Sequence, residues 1–184
     1  MKWSKLKQRI EEGFADKVRG RVEVWSTSYR NAHDQAGEGW ITLDGERLYS
    51  AATLTYYKQL MDSGRDLLAK RGNPDFRDPE RASLYYRTWK QVEEDLHKAG
   101  SFAQWDFNAA LFEYLNLSIT QIASSDNPLI CAIGMLDRRL GKRQLLRLDA
   151  SRMPEIARLL YAVRCDLEQI AATPFDNTTD RPSA

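Results

Sequence analysis

The 184-residue chain predicts an α+β fold, and three features of it lead there. Alternating, β-branched segments cluster between residues 21 and 51, helical apolar spacing fills the chain from about residue 52 onward, and strands do not alternate with helices as a parallel sheet requires. The expected order is an N-terminal helix, a three-stranded antiparallel sheet with a tight hairpin, and a mainly helical C-terminal two-thirds. One domain over residues 1–172 accommodates it, because a chain of this length buries roughly 70% of the surface its unfolded form exposes. Residues 173–184, TPFDNTTDRPSA, read as a disordered tail.

Taken in order, Trp3, Leu6, Ile10 and Phe14 recur at helical spacing with Lys5, Gln8, Arg9 and Glu12 between them, which predicts an amphipathic helix docked through that stripe. RVEVWSTSYR reads as a strand, NAHDQAGEG as a polar connection and WITLDGERLYS as a hairpin. Asp44-Gly45 suits a two-residue type I′ turn, where both positions need φ > 0. That turn sets Leu43 against Glu46, Ile41 against Leu48 and Trp40 against Tyr49. Alternation then gives an aliphatic face with Val22, Val24, Ile41, Leu43 and Leu48, and an aromatic face with Trp25, Tyr29, Trp40 and Tyr49.

Leu54, Tyr57, Met61 and Leu68 mark the next helix, which ends near RGNPDFRDP. Asp78-Pro79 reads as a cap and first helical residue, and Tyr85, Trp89, Val92 and Leu96 as a buried stripe running up to a Gly100 cap. From Ser101 a helix that is apolar on more than one side predicts a central position. Ser118 and Gln121 form a capping box, with Leu117 and Ile122 placed as a hydrophobic staple. Asn127-Pro128 opens a helix burying Leu129, Ile133, Leu136 and Leu140 and stopping at Gly141, and a last helix runs from about Pro154 to Ala172.

Twenty-seven basic against twenty-six acidic residues leave a net charge of +1, so nothing global favours a nucleic acid or a membrane. Two segments are locally basic: residues 1–21 carry seven Lys or Arg against three acids, and 138–152 carry six against one. The charged N-terminus lacks the apolar run of a signal peptide, and no stretch approaches the roughly 20 apolar residues of a membrane span. Cys131 and Cys165 fall in apolar helical patterns and read as reduced, buried thiols, so the expected location is cytoplasmic.

The strings MKWSKLK, RGRVEVWSTSYRNAHDQAGEGWITLDG, FEYLNLSI and NPLICAIGMLDRRLGKRQL resemble a family of small uncharacterised bacterial proteins, some of them carried on mobile elements. The resemblance runs from residue 1 to about 147. It implies a bacterial cytoplasmic accessory protein and brings no catalytic or binding residue with it.

For catalysis the candidates are His33 as general base, Asp34 as its orienting carboxylate and Tyr29 beside them. Adjacent His and Asp side chains seldom bond to one another, however, and Asn31, His33 and Asp34 are ordinary turn residues. No HExxH, CxxC, GxxxxGK[ST] or GxGxxG spacing occurs, so no metal or cofactor is expected. Trp105, Asp106, Glu113 and Asn116 lie along one apolar helix and are candidates to line a pocket. Trp25, Tyr29, Trp40 and Tyr49 have the composition of a homodimer contact or a base-stacking platform. Arg138, Arg139, Lys142 and Arg143 are binding candidates, though the two arginines also suit the last turn of a helix closed by Gly141. A non-enzymatic, self-associating binding protein is therefore expected. Nucleic-acid binding through the two basic segments is the alternative, and a small hydrolase centred on His33 the third reading.

Overall fold

A computed structural model describes residues 2–29 and 36–170. The chain opens with helix α1 (Trp3–Glu12) and a three-stranded antiparallel sheet in the order β1 (Val22–Ser28), β2 (Gly37–Leu43), β3 (Glu46–Ala52). Helices follow: α2 (Thr53–Lys70), α3 (Ala82–Lys98), α4 (Gln104–Tyr114), α5 (Ile119–Ala123), α6 (Pro128–Leu136), α7 (Lys142–Leu145) and α8 (Glu155–Glu168). The α+β order read from the sequence is the order found.

The expected stripe of α1 is the one that docks, with Leu6, Ile10 and the following Phe14 all buried. Beyond its packing, α1 shields the free edge of β1. The Glu11 carboxylate accepts the Val24 amide at 2.9 Å, and Lys7 Nζ donates to the Val24 carbonyl at 3.2 Å. Backbone groups that would invite another strand are thereby occupied.

The hairpin turn is as its residues dictate, with φ of 52° at Asp44 and 86° at Gly45. Its register departs from expectation after two pairs. Leu43 faces Glu46 and Thr42 faces Arg47, but a bulge then sets Ile41 against Tyr49 and Trp40 against Ser50. The extra residue is Leu48. Strict alternation would have turned either Leu48 or Tyr49 to the open side; the bulge lets both pack against the core, and the Tyr49 hydroxyl donates to the Gly100 carbonyl at 3.0 Å. The polar connection is shorter than its composition predicts, because Gly37–Gly39 belong to β2. A Cβ on Gly39 would stand 2.3 Å from Phe107 Cδ1, so the glycine is what admits α4 against the strand.

Helix α2 reverses the expected stripe. Thr53, Tyr56 and Gly64 are buried, whereas Leu54, Tyr57 and Met61 face outward. The helix offers apolar residues on two sides. The buried side is the one with Gly64, over which the Trp89 indole of α3 lies so closely that a Cβ would fall 2.1 Å from it. The start of α3 is Ala82 rather than Pro79, since Asp78 caps a preliminary turn by accepting the Glu80 amide at 3.0 Å. Gly100 closes this helix at φ 78° as expected. Helix α4 starts at Gln104, three residues after Ser101, and buries Phe107, Ala110, Leu111 and Tyr114. The Ser118–Gln121 box and the Asn127 cap are both formed.

The largest correction concerns residues 137–141. Helix α6 ends at Leu136, Asp137 is extended, and Gly141 has φ −75°, which makes it the N-cap of α7 and not a left-handed C-cap. Arg138 and Arg139 are thus outside any last helical turn. The capping role expected of them falls to Arg164 of α8, 2% exposed, whose guanidinium donates to the carbonyls of Met135, Asp137 and Leu140 at 3.1–3.2 Å. Glu168 accepts from Arg164 Nε at 2.5 Å and balances its charge. The segment after α1 closes the same corner, because Ala15 N donates to the Leu136 carbonyl and Arg138 N to that of Gly13, each at 2.9 Å. Helix α8 ends at Glu168, short of the expected Ala172, with Gln169 left-handed at φ 54°.

Candidate functional site

Of the catalytic candidates, His33 and Asp34 lie outside the described residues. Tyr29 stands at the end of β1, 46% exposed, its hydroxyl 3.4 Å from Glu38 Oε2.

The sheet face does bring Trp25 and Trp40 together, paired across β1 and β2 with near-parallel rings and centroids 6.2 Å apart. Tyr49 is not with them, because the bulge turned it to the core side. Lys7 Nζ lies 3.8 Å from the Trp25 ring centroid and the Arg47 guanidinium 4.9 Å from that of Trp40. Since Lys7 comes from beyond the β1 edge and Arg47 from β3, the four side chains form a row across the sheet. Each indole already has a neighbour over its face. Lys7 is further tied to Glu11 at 2.5 Å and Arg47 to Glu38. A base stacking here would have to displace a paired cation.

In the basic segment, Arg139 has a structural task. Asp137, 1% exposed, accepts from the Tyr114 hydroxyl at 2.5 Å, from Arg139 Nη2 at 2.6 Å and Nε at 2.9 Å, and from the Arg139 amide at 2.7 Å. Arg139 Nη1 continues to the Leu117 carbonyl at 3.0 Å. Burial opposes ionisation of Asp137, yet the bonds from Arg139 and Tyr114 outweigh it and hold the carboxyl below the usual range. The Tyr114 phenol is pushed up by burial and by the same carboxylate. Arg138, Lys142 and Arg143 are exposed, and Lys142 Nζ reaches the Glu168 carbonyl at 3.4 Å.

Two features went unread in the sequence as arrangements, although some of their residues were noticed. The first is a groove of about 440 Å³ between the end of α3, the outer side of α4 and the start of α6. Phe102, Ala109 and Pro128 supply apolar walls, and four carboxylates, those of Glu94, Asp106, Glu113 and Asp126, line it against one ammonium, that of Lys98. Asp106 and Glu113 were pocket candidates and do line it. Of the other two, Trp105 lies on the neighbouring surface, and Asn116 bonds back to the Phe112 carbonyl at 3.0 Å. His97, also in the groove, stacks on Phe102 with centroids 4.7 Å apart and has Nε2 3.4 Å from the Tyr56 hydroxyl and 3.8 Å from Asp106 Oδ2. Burial raises the pKa of the Tyr56 phenol. The second feature is the outward stripe of α2. Leu54 is 64% exposed, Tyr57 39% and Met61 44%, and Trp105, 40% exposed, packs on Tyr57 at 5.5 Å between centroids. Among the described residues no group of three or more His, Cys, Asp or Glu side chains is placed to hold a metal, and no helix is long and apolar enough to cross a membrane.

Fold and surface together define an α+β protein with a short antiparallel sheet, a buried ionic corner and an apolar surface bordered by an acidic groove. The model of the SF0329 protein family matches residues 2–165, and the chain belongs to that family. No curated protein and no solved structure matches it. The family is one of unknown function, so it assigns no role to any of these residues.

Proposed function

We propose that the protein is a non-enzymatic binding protein that self-associates, and that the outer side of α2 is its contact surface. The observation carrying this reading is the row Leu54, Tyr57 and Met61, spaced along one side of the helix, joined by Trp105 and left open to solvent. Single exposed apolar residues are ordinary, but a contiguous patch with aromatics at its centre is the composition of an interface core. The occupant is a second copy, because the stripe is self-complementary. An antiparallel pairing of α2 with its copy about residues 57 and 58 sets Leu54 of each helix against Met61 of the other, with the two Tyr57 side chains near the centre. The aromatic sheet face is the weaker interface candidate, since its indoles are already capped by Lys7 and Arg47.

Sedimentation equilibrium on the whole protein tests this. A dimer is expected at about micromolar concentration, and it should persist at about 0.5 M salt because the contact is apolar. Leu54→Glu/Met61→Glu, at two exposed positions, should give a folded monomer by circular dichroism. A native protein that stays monomeric at every concentration, or a variant that still dimerises, removes the reading.

A further inference from the structure

The acidic groove and the basic segment sit at opposite ends of one short helix. Asp126, Asn127 and Pro128 bring the groove to the N-terminal end of α6, and Arg138 stands just past the buried Asp137 that closes its C-terminal end. The nine residues between them rise about 13 Å. A molecule whose net charge is only +1 thus carries a patch of each sign on separate sides.

The chemistry of the two patches also corresponds. On α7 and the residue after it, Leu146 is 57% exposed, with Lys142 and Arg143 preceding it and Arg147 following, all exposed. It forms an apolar knob ringed by cations. The groove is the converse, with Phe102 and Pro128 inside and four carboxylates around them that outnumber its one lysine, Lys98. Glu113 and Asp126 form no ion pair among the described residues, and neither do Arg143 and Arg147, while Glu94 has only the exposed Lys90 at 3.8 Å.

We propose that the groove receives the Leu146 knob of a second copy of this chain, with Lys142, Arg143 and Arg147 meeting Glu113, Asp126 and Glu94. The contact is heterologous: each copy uses its knob on one neighbour and its groove on another, so copies add head to tail. It is independent of the isologous α2 contact, which is apolar. Being charged and small, it weakens as salt rises.

The test uses full-length protein with Leu54→Glu/Met61→Glu introduced, so that the α2 contact is absent, and in parallel the native chain. At low salt the mean mass should grow with concentration without levelling at a dimer. Glu113→Gln/Asp126→Asn disables the groove and Lys142→Glu/Arg143→Glu disables the knob. Each variant alone should lose association by about tenfold or more in Kd, but an equimolar mixture should form a 1:1 dimer, since one intact knob still finds one intact groove. Leu146→Asp is a second, independent way to remove the knob and should behave like the lysine and arginine change. Circular dichroism and melting curves confirm that all variants fold. The proposal is overturned if the starting protein does not associate at low salt, if either variant associates as the starting protein does, or if the mixture stays monomeric. It is equally overturned if the starting protein does not associate and the basic segment instead binds duplex or single-stranded DNA in a salt-dependent way that Lys142→Glu/Arg143→Glu abolishes, which would give the knob to a nucleic acid.

Discussion

Replacing Asp137 by Asn tests whether the 137–143 segment is a structural corner. The carboxylate is 1% exposed and takes bonds from Tyr114, from the Arg139 guanidinium and from the Arg139 amide. Asn keeps the shape but removes the charge, and it turns an NH₂ toward at least one of these donors. Losing one partner of a fully buried ion pair costs about 3–5 kcal/mol. The Arg139 side chain is 44% exposed and regains water, so the cost falls below that range, to about 2–3 kcal/mol. In a chain of this size that lowers Tm by roughly 4–12 °C. Urea unfolding is the direct assay, with the midpoint falling and the m value unchanged. Tyr114→Phe should cost about 1 kcal/mol alone, and less in the Asp137→Asn background, because the two share one hydrogen bond.

Acid adds a second check. The folded carboxyl sits below its unfolded value, so its contribution is complete above the unfolded pKa of about 3.9 and is lost as pH falls through the lower, folded value. The native protein should therefore lose stability toward strong acid more steeply than Asp137→Asn, and the gap between them should close there. A destabilisation under about 0.5 kcal/mol at neutral pH, or parallel acid profiles, would refute the corner. Arg139 is for the same reason unsuited to a binding variant, because its loss would unsettle the fold.

Two glycines give the remaining predictions. Gly45→Val should cost roughly 1 kcal/mol or more in denaturant midpoint, because a β-branched residue resists the φ of 86° that the turn needs; an unchanged midpoint would contradict the turn. Gly39→Ala should cost about 1–3 kcal/mol, because its methyl would meet the buried Phe107 ring, and Phe107→Leu should recover part of the loss; a neutral Gly39→Ala would mean that α4 does not press on β2 as described.

Local chemistry was legible where it acts locally. Asp44-Gly45 turns the chain with both φ positive; Ser118 with Gln121, Asn127-Pro128 and Gly100 each bond to backbone within a few residues, and each does in the fold what its type predicts. The misreadings share another cause: a distant segment settled them. Gly141 looked like a C-cap because it followed Leu136 and Leu140 at helical spacing, but Asp137 found Tyr114 and Arg164 took the carbonyls, so the helix ended early. Tyr49 changed faces because the bulge lets both it and Leu48 pack inward. The stripe of α2 was ambiguous from the start, since two apolar sides were present and only the approach of Trp89 to Gly64 chose between them.

The candidate site was illegible for a related reason, which bears on how charge was read. Asp106 and Glu113 were visible as a pair along α4, but Glu94 and Asp126 come from the end of α3 and the turn before α6, and nothing in their spacing announces a shared groove. Averaged over the chain, these acids cancel against the 138–152 segment and leave +1, which argues against a polyanionic partner only if the charges are mixed. Here they are separated along α6. A near-neutral chain with segregated charge has little long-range attraction for polyanions and a strong short-range complement in its own copies. The same total that removed a general case for nucleic acid is therefore the condition that head-to-tail contact requires.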